Sequence, residues 1–145
     1  MMLLDELEEE LPQHYRIIGA YAGFLQDAFN PRQNRFRNFM GFQRQWLEEI
    51  GSEDSHARAV WALGTCVGRS GRSNIRAWAS KLFEAALEVV DSFASPRSWA
   101  FAILGLREYL RALSGDRRAN RLRELLSTRL LERFHKVFGV GLALV

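Results

Sequence analysis

The residues best suited to chemistry lie close together between positions 46 and 58 of the chain. Glu53 and Asp54 are adjacent carboxylates, and His56 follows two positions later. Paired carboxylates can supply the general acid and the general base of glycoside chemistry. We therefore predict that Asp54 is the catalytic acid or base. Glu53 is predicted to be its partner or an acceptor for a substrate hydroxyl.

Aromatic and basic residues near this pair are candidates for binding a substrate. Trp46 offers a ring that can stack on the face of a sugar. Arg37 and Arg97 can donate hydrogen bonds to hydroxyl groups or to a phosphate. The predicted substrate-binding residues are therefore Arg37, Trp46, His56 and Arg97.

Some of these residues also have a purely structural explanation. Glu53 or Asp54 can cap a helix and interact favourably with its dipole. Trp46 can pack at the edge of the core. His56 could bind zinc, but the other two histidines lie on different predicted elements, and no His-x-x-x-His or Cys-His spacing occurs. The glycines show no phosphate-loop spacing, so we predict neither a metal site nor a cofactor.

The composition indicates a single globular domain over residues 1–145, with 48% hydrophobic and 26% charged residues. The one cysteine, Cys66, excludes an internal disulfide and suits a reducing compartment. The acidic start of the chain does not resemble a secretory signal. No apolar run is long enough to cross a membrane. We therefore expect a soluble, cytoplasmic protein without a membrane partner.

The net charge of +3 and the pI of about 9.5 raise the question of nucleic-acid binding. A nucleic-acid binder usually concentrates positive charge on one face, whereas arginines here are interleaved with acids, as in Arg107-Glu108 and Arg123-Glu124. The densest basic cluster is better explained as a solvated helix face, and we predict no nucleic-acid partner. That cluster consists of Arg117, Arg118, Arg121 and Arg123.

Hydrophobic spacing predicts five helices, with an ordered loop or a short hairpin over residues 31–51. The second and fourth helices are apolar on more than one face and are predicted to be interior. The first, third and fifth are amphipathic and are predicted to be peripheral. The predicted ranges are approximately 12–29, 52–67, 73–93, 95–114 and 116–138.

The two interior helices align at an offset of 41 residues, which places Gly64 on Gly105. A period near 40 made of helical hairpins indicates αα repeats, arranged as an open solenoid or a closed toroid. A plain helical bundle is also consistent with the pattern. Small residues on the two interior helices would let them approach each other closely.

Residues 24–30, 35–40, 46–49, 51–64 and 95–101 resemble a bacterial family of helical domains often joined to, or encoded near, glycosyltransferases. The most specific part is Ser-Glu-Asp-Ser-His at positions 52–56. The resemblance covers roughly residues 20–114 and implies the six-hairpin (α/α) toroid of many glycosidases and sugar epimerases. A full toroid has about twelve helices, so five helices imply a shortened relative or a fragment.

Two functional hypotheses follow. In the first, the chain is a carbohydrate-binding or carbohydrate-processing toroid-like domain, and its predicted site residues line an open mouth for a saccharide. In the second, it is a non-catalytic αα-repeat module that binds a protein partner or itself. The edges of an incomplete ring and the apolar tail favour a homo-oligomer. Convergence of the site residues in an open pocket would favour the first hypothesis, whereas caps and internal ion pairs would favour the second.

Overall fold

The computed structural model describes residues 12–139, with side chains from residue 14 onwards, and has an all-α fold of five helices in that range. The predicted fold class and helix number are confirmed. The acidic start and the apolar tail lie outside the described residues. The elements are α1 (Pro12–Ala28), β1 (Phe29–Asn30), β2 (Arg35–Phe36), α2 (Glu53–Arg69), α3 (Ser73–Leu87), a 3-10 turn (Val90–Ser92), α4 (Pro96–Ala112) and α5 (Arg117–Phe138).

Side-chain caps set the starts of three of the helices. The hydroxyl of Ser52 accepts a hydrogen bond from the Ser55 N–H at 3.1 Å. Ser95 does the same for the Ser98 N–H at 3.5 Å, and proline follows Ser95 as the first residue of α4. The carboxylate of Asp116 accepts from two backbone N–H groups in the first turn of α5. These caps satisfy amide groups that have no partner within their own helix.

The third helix ends earlier than its sequence pattern predicts. α3 stops at Leu87, and a 3-10 turn follows it. Phe93 then adopts an extended backbone, so the helix cannot continue towards α4. The turn keeps both Val90 and Phe93 buried while the chain changes direction.

Residues 29–51 form a hairpin within a longer ordered loop, so both structures predicted for this segment are present. β1 and β2 pair antiparallel, with Phe29 opposite Phe36. A second, isolated bridge joins Met40 to Trp46. The backbone N–H of Gly51 donates to the Phe36 carbonyl at 2.9 Å, which fixes the end of the loop beside the hairpin.

α2 and α4 lie side by side and run in the same direction. Their contacts follow both helices from the first turn to the last, which is the geometry expected for equivalent helices of adjacent αα repeats. From the N-terminal to the C-terminal end, the contacting pairs are Asp54 with Arg97, Trp61 with Phe101, and Arg69 with Glu108.

Glycines allow the backbones of α2 and α4 to touch. A Cβ atom added to Gly64 would lie 2.2 Å from the carbonyl oxygen of Gly105. A Cβ atom on Gly68 would lie 2.1 Å from the carbonyl oxygen of Glu108. The prediction that small residues permit close approach is confirmed. Gly64 and Gly105, which correspond in the repeat, are in direct contact.

The core lies between the α2–α4 layer and a second layer formed by α3 and α5. α3 packs on α2, and α5 packs on α4. The prediction that α2 and α4 are interior helices is correct for their packed sides only, because each leaves a stripe of residues exposed. Among the described elements, α3 and α5 cover only one side of this layer. The side chains buried between the layers include Val60, Leu63, Phe83, Leu106 and Leu126.

Candidate functional site

The structure brings Asp54 and Arg97 together at the starts of α2 and α4. The Nε atom of Arg97 lies 2.6 Å from Oδ1 of Asp54, and the Nε atom of Arg58 lies 3.0 Å from Oδ2. Both arginine side chains are more than half exposed, at 70% and 58%. Exposed ion pairs contribute little stability, typically below about 1 kcal/mol. The cluster is therefore a charged surface feature at the start of both helices.

Glu53 points to the loop before α4. Its carboxylate accepts hydrogen bonds from the backbone N–H groups of Ala94, at 3.1 Å, and Ser95, at 3.0 Å. These amides precede α4, so Glu53 connects the start of one repeat to the start of the next. This bonding favours the structural explanation of Glu53.

His56 is fully buried, which corrects the prediction that it lines an open mouth. Its Nδ1 accepts from the Phe36 N–H at 3.2 Å, and its Nε2 lies 2.9 Å from the Ala86 carbonyl. Because Nδ1 accepts, the proton is on Nε2, which donates to that carbonyl. Burial is the largest influence and lowers the pKa of His56 to about 4, with Arg35 acting in the same direction. His56 is thus a neutral residue that joins the hairpin to α3.

Arg37 and Trp46 form a second group, at the hairpin and the end of α1. The guanidinium carbon of Arg37 lies 5.9 Å from the centre of the Trp46 ring. The indole N–H of Trp46 donates to Asp27 at 3.1 Å, and its ring lies 5.8 Å from that of Phe24. Arg37 also lies 3.6 Å from Glu49. The six predicted residues are thus not gathered in one site. Two surface clusters hold four of them, Asp54 with Arg97 and Arg37 with Trp46, whereas Glu53 binds loop amides and His56 lies in the core.

A surface that the sequence pattern did not reveal extends along α2 and α4, and we call it the arginine-flanked face. Its residues recur every three or four positions, so each set lies along one side of its helix. On both helices the apolar residues lie in the middle and arginines lie towards the ends. The members are Asp54, Arg58, Trp61, Thr65 and Arg69 on α2, and Arg97, Phe101, Leu104, Glu108 and Arg111 on α4.

The middle of the arginine-flanked face is apolar and open. The rings of Trp61 and Phe101 stack at a centroid distance of 5.7 Å and an angle of 19°. Trp61 is 39% exposed and Leu104 is 36% exposed. Arg58 also lies over the Phe101 ring, with its guanidinium carbon 5.0 Å from the centroid.

The far end of the face is again charged. Arg69 lies 2.7 Å from Glu108, and Arg111 lies 3.8 Å from the same carboxylate. The hydrogen bond from Arg69 lowers the pKa of Glu108, so this carboxylate is ionised at neutral pH. Four arginines against two acids give the whole face a net charge of +2.

An apolar cleft of about 560 Å³ borders the face between α1 and α2. α1 leaves Tyr21 and Phe24 about half exposed along it, at 55% and 52%. Arg58, Trp61 and Thr65 belong to both the cleft and the face, so the two surfaces are continuous. The remaining lining residues are Leu25, Ala62 and Cys66.

A metal site and a membrane-spanning helix are both absent from the described residues. Within residues 12–139, no group of three or more histidine, cysteine or acidic side chains could hold a metal ion. In the same range, no helix is both long enough and apolar enough to cross a membrane. Arg118, from the basic cluster on α5, pairs with Glu88 at the end of α3.

Comparison with known proteins found no match among protein-family models, curated proteins or solved structures. The resemblance to the glycosyltransferase-associated toroid family therefore stays a prediction.

Proposed function

We propose that this chain is a non-catalytic αα-repeat module that binds an amphipathic segment of a protein partner on the arginine-flanked face. The observation that carries the proposal is the open apolar middle of the face, where Trp61 and Leu104 are each more than a third exposed. An apolar patch with a polar rim is typical of protein interaction sites. Tryptophan and arginine are also the residues that most often dominate binding energy at such sites.

The chemistry of the face indicates the chemistry of the partner. An apolar strip along two parallel helices suits a segment with apolar residues at helical spacing. The net charge of +2 favours acidic residues beside those apolar positions. The partner segment is therefore an acidic amphipathic helix.

The bonding of the predicted catalytic residues supports a non-catalytic role. Glu53 accepts hydrogen bonds from two backbone amides, and both ring nitrogens of His56 bond to backbone groups. Asp54 lies between two arginines. A general base needs access to a substrate proton, whereas these residues stabilise the junction between two repeats.

The proposal predicts that short peptides selected against the full chain bind the arginine-flanked face. Peptides from a random display library should be enriched in acidic residues and in leucines at three- or four-residue spacing. Leu104→Ala should weaken their binding about tenfold, since truncating a central interface residue costs on the order of 1.4 kcal/mol. Fluorescence anisotropy with a labelled peptide measures the affinity.

The matched control is Leu131→Ala, which removes the same atoms from a leucine on α5 that is 59% exposed and lies outside the face. Its affinity for the peptide should equal that of the unmodified chain. The proposed function would be contradicted if both variants lost the same affinity for the peptide, or if Leu104→Ala bound it as tightly as the unmodified chain.

Saccharide binding is a second candidate, favoured by the aromatic pair Trp61 and Phe101 beside the Asp54 and Arg97 pair. Aromatic faces and charged hydrogen-bonding groups are the elements that such a site requires. If this hypothesis is correct, neutral or phosphorylated sugars raise the melting temperature of the full chain, and Asp54→Asn abolishes the rise. If the chain is an interaction module, no sugar should change its melting temperature. A thermal-shift screen therefore distinguishes the two functions.

A further inference from the structure

The first eleven residues of the chain have the composition that the arginine-flanked face would bind. They contain leucines at positions 3, 4, 7 and 11, spaced by three or four residues. Five acids, Asp5, Glu6, Glu8, Glu9 and Glu10, lie between them. Leucines at this spacing with acids between them are typical of an acidic amphipathic segment.

We propose that residues 1–11 dock on the arginine-flanked face of their own chain, an inference that rests on the function proposed above. The five acids complement a face with a net charge of +2. The leucines complement the apolar middle, where Trp61 and Leu104 are exposed and Phe101 is partly buried. Charge and hydropathy therefore match along the whole segment.

The start of α1 lies near one end of the face. α1 begins at Pro12, and the ring of Tyr15 lies 4.3 Å from the guanidinium carbon of Arg72. Arg72 comes three residues after Arg69, which ends the face on α2. Residues 1–11 thus join the described structure at one end of the surface that they are proposed to cover.

The segment is long enough to reach the apolar middle of the face without a second copy. As a helix, eleven residues are roughly 16 Å long. Trp61 precedes Arg69 by eight residues of α2, which is roughly 12 Å along the helix axis. Docking within one chain therefore needs no rearrangement of the described elements, and it avoids the entropy loss of bringing two molecules together.

Docking of this kind regulates the module. A partner can bind only the fraction of molecules whose face is open, so its apparent dissociation constant rises as that fraction falls. For example, if residues 1–11 occupied the face in about three quarters of the molecules, partner binding would weaken about fourfold. Loss of the acidic charges, or high salt, releases the face.

Paramagnetic relaxation in the full chain tests the docking directly. A nitroxide on Met2→Cys, in a chain that also carries Cys66→Ala, should broaden the Trp61 indole and the Phe101 amide signals. The amide of Lys81, on the outer helix α3, should stay sharp. When spin-labelled chains without nitrogen-15 are mixed with nitrogen-15 chains without a spin label, the signals of the nitrogen-15 chains should not broaden. Broadening that spares Trp61 and Phe101, or that occurs between molecules, overturns docking within one chain.

Affinity for the selected peptide gives a second test, which needs no spin label. Neutralising all five acids of residues 1–11, as Asp5→Asn with Glu6, Glu8, Glu9 and Glu10→Gln, should tighten peptide binding about fourfold. The control is Glu124→Gln with Glu132→Gln, at exposed positions on α5, which should leave the affinity unchanged. Unchanged binding in the five-acid variant overturns the docking but leaves the proposed function standing. If Leu104→Ala does not change the affinity for the selected peptides, the proposed function itself is overturned.

Discussion

Gly64→Ala is expected to destabilise the chain by about 2 kcal/mol, although alanine is the better helix former by about 1 kcal/mol. The added Cβ atom would lie 2.2 Å from the Gly105 carbonyl oxygen, well inside van der Waals contact. That oxygen belongs to the backbone of α4, so a side-chain rotation cannot relieve the clash. α2 and α4 must move apart, and the packing between them is weakened.

Gly23→Ala provides the matched control, because Gly23 is also within a helix but has no atom within 4 Å of an added Cβ. It should raise stability by up to about 1 kcal/mol through helix propensity alone. Urea unfolding followed by circular dichroism measures both changes. If Gly64→Ala proves as stable as Gly23→Ala, the close approach of α2 and α4 is incorrect.

The features that the sequence predicted correctly depend on local signals. The predicted starts near residues 52, 95 and 116 lie within one residue of the observed starts of α2, α4 and α5. Ser52, Ser95 and Asp116 cap these helices, and a capping side chain acts within three residues. The offset that relates Gly64 to Gly105 also follows from the sequence, since equivalent helices of a repeat carry similar small residues. All-α character and helix number depend on the same short-range spacing.

The features that escaped prediction depend on partners far along the chain. His56 was expected at the surface, but its two hydrogen-bond partners lie 20 and 30 residues away. Local spacing carries no information about either contact. The arginine-flanked face escaped notice for another reason. Trp61 and Phe101 are as apolar as core residues, so α2 and α4 were predicted to be interior although each leaves one stripe of residues uncovered.

The segment Ser-Glu-Asp-Ser-His at positions 52–56 is explained by the junction between repeats. Ser52 caps α2, and Glu53 binds the amides before α4. Asp54 pairs with Arg97 at the start of α4, and His56 connects α2 to the hairpin and α3. Repeat proteins derive much of their stability from such neighbour contacts. A dense group of ionisable residues can therefore arise without catalysis.

His56 should make the stability of the fold depend on pH in the mildly acidic range. Its folded pKa of about 4 lies below the ordinary value of 6.5, so the unfolded chain binds a proton more readily between these values. The contribution of His56 to the free energy of unfolding is therefore fully present above about pH 6.5, and it decreases as the pH falls towards 4. The loss at pH 5 is about 2 kcal/mol.

Replacing the histidine should remove this dependence. His56→Gln should destabilise the chain at pH 8 by about 2 kcal/mol, because a buried backbone group loses its partner. The unfolding free energies of the unmodified chain and of His56→Gln should then differ by about 2 kcal/mol less at pH 5 than at pH 8. The reason is that only the unmodified chain contains the buried imidazole, whose lowered pKa destabilises the fold at acidic pH. His135→Gln, at a partly buried position on α5, is the control and should keep the full pH dependence. Urea titrations of the three chains at pH 8 and at pH 5 measure the six unfolding free energies. A constant difference between the His56→Gln and unmodified chains would mean that the imidazole is not held neutral in the core.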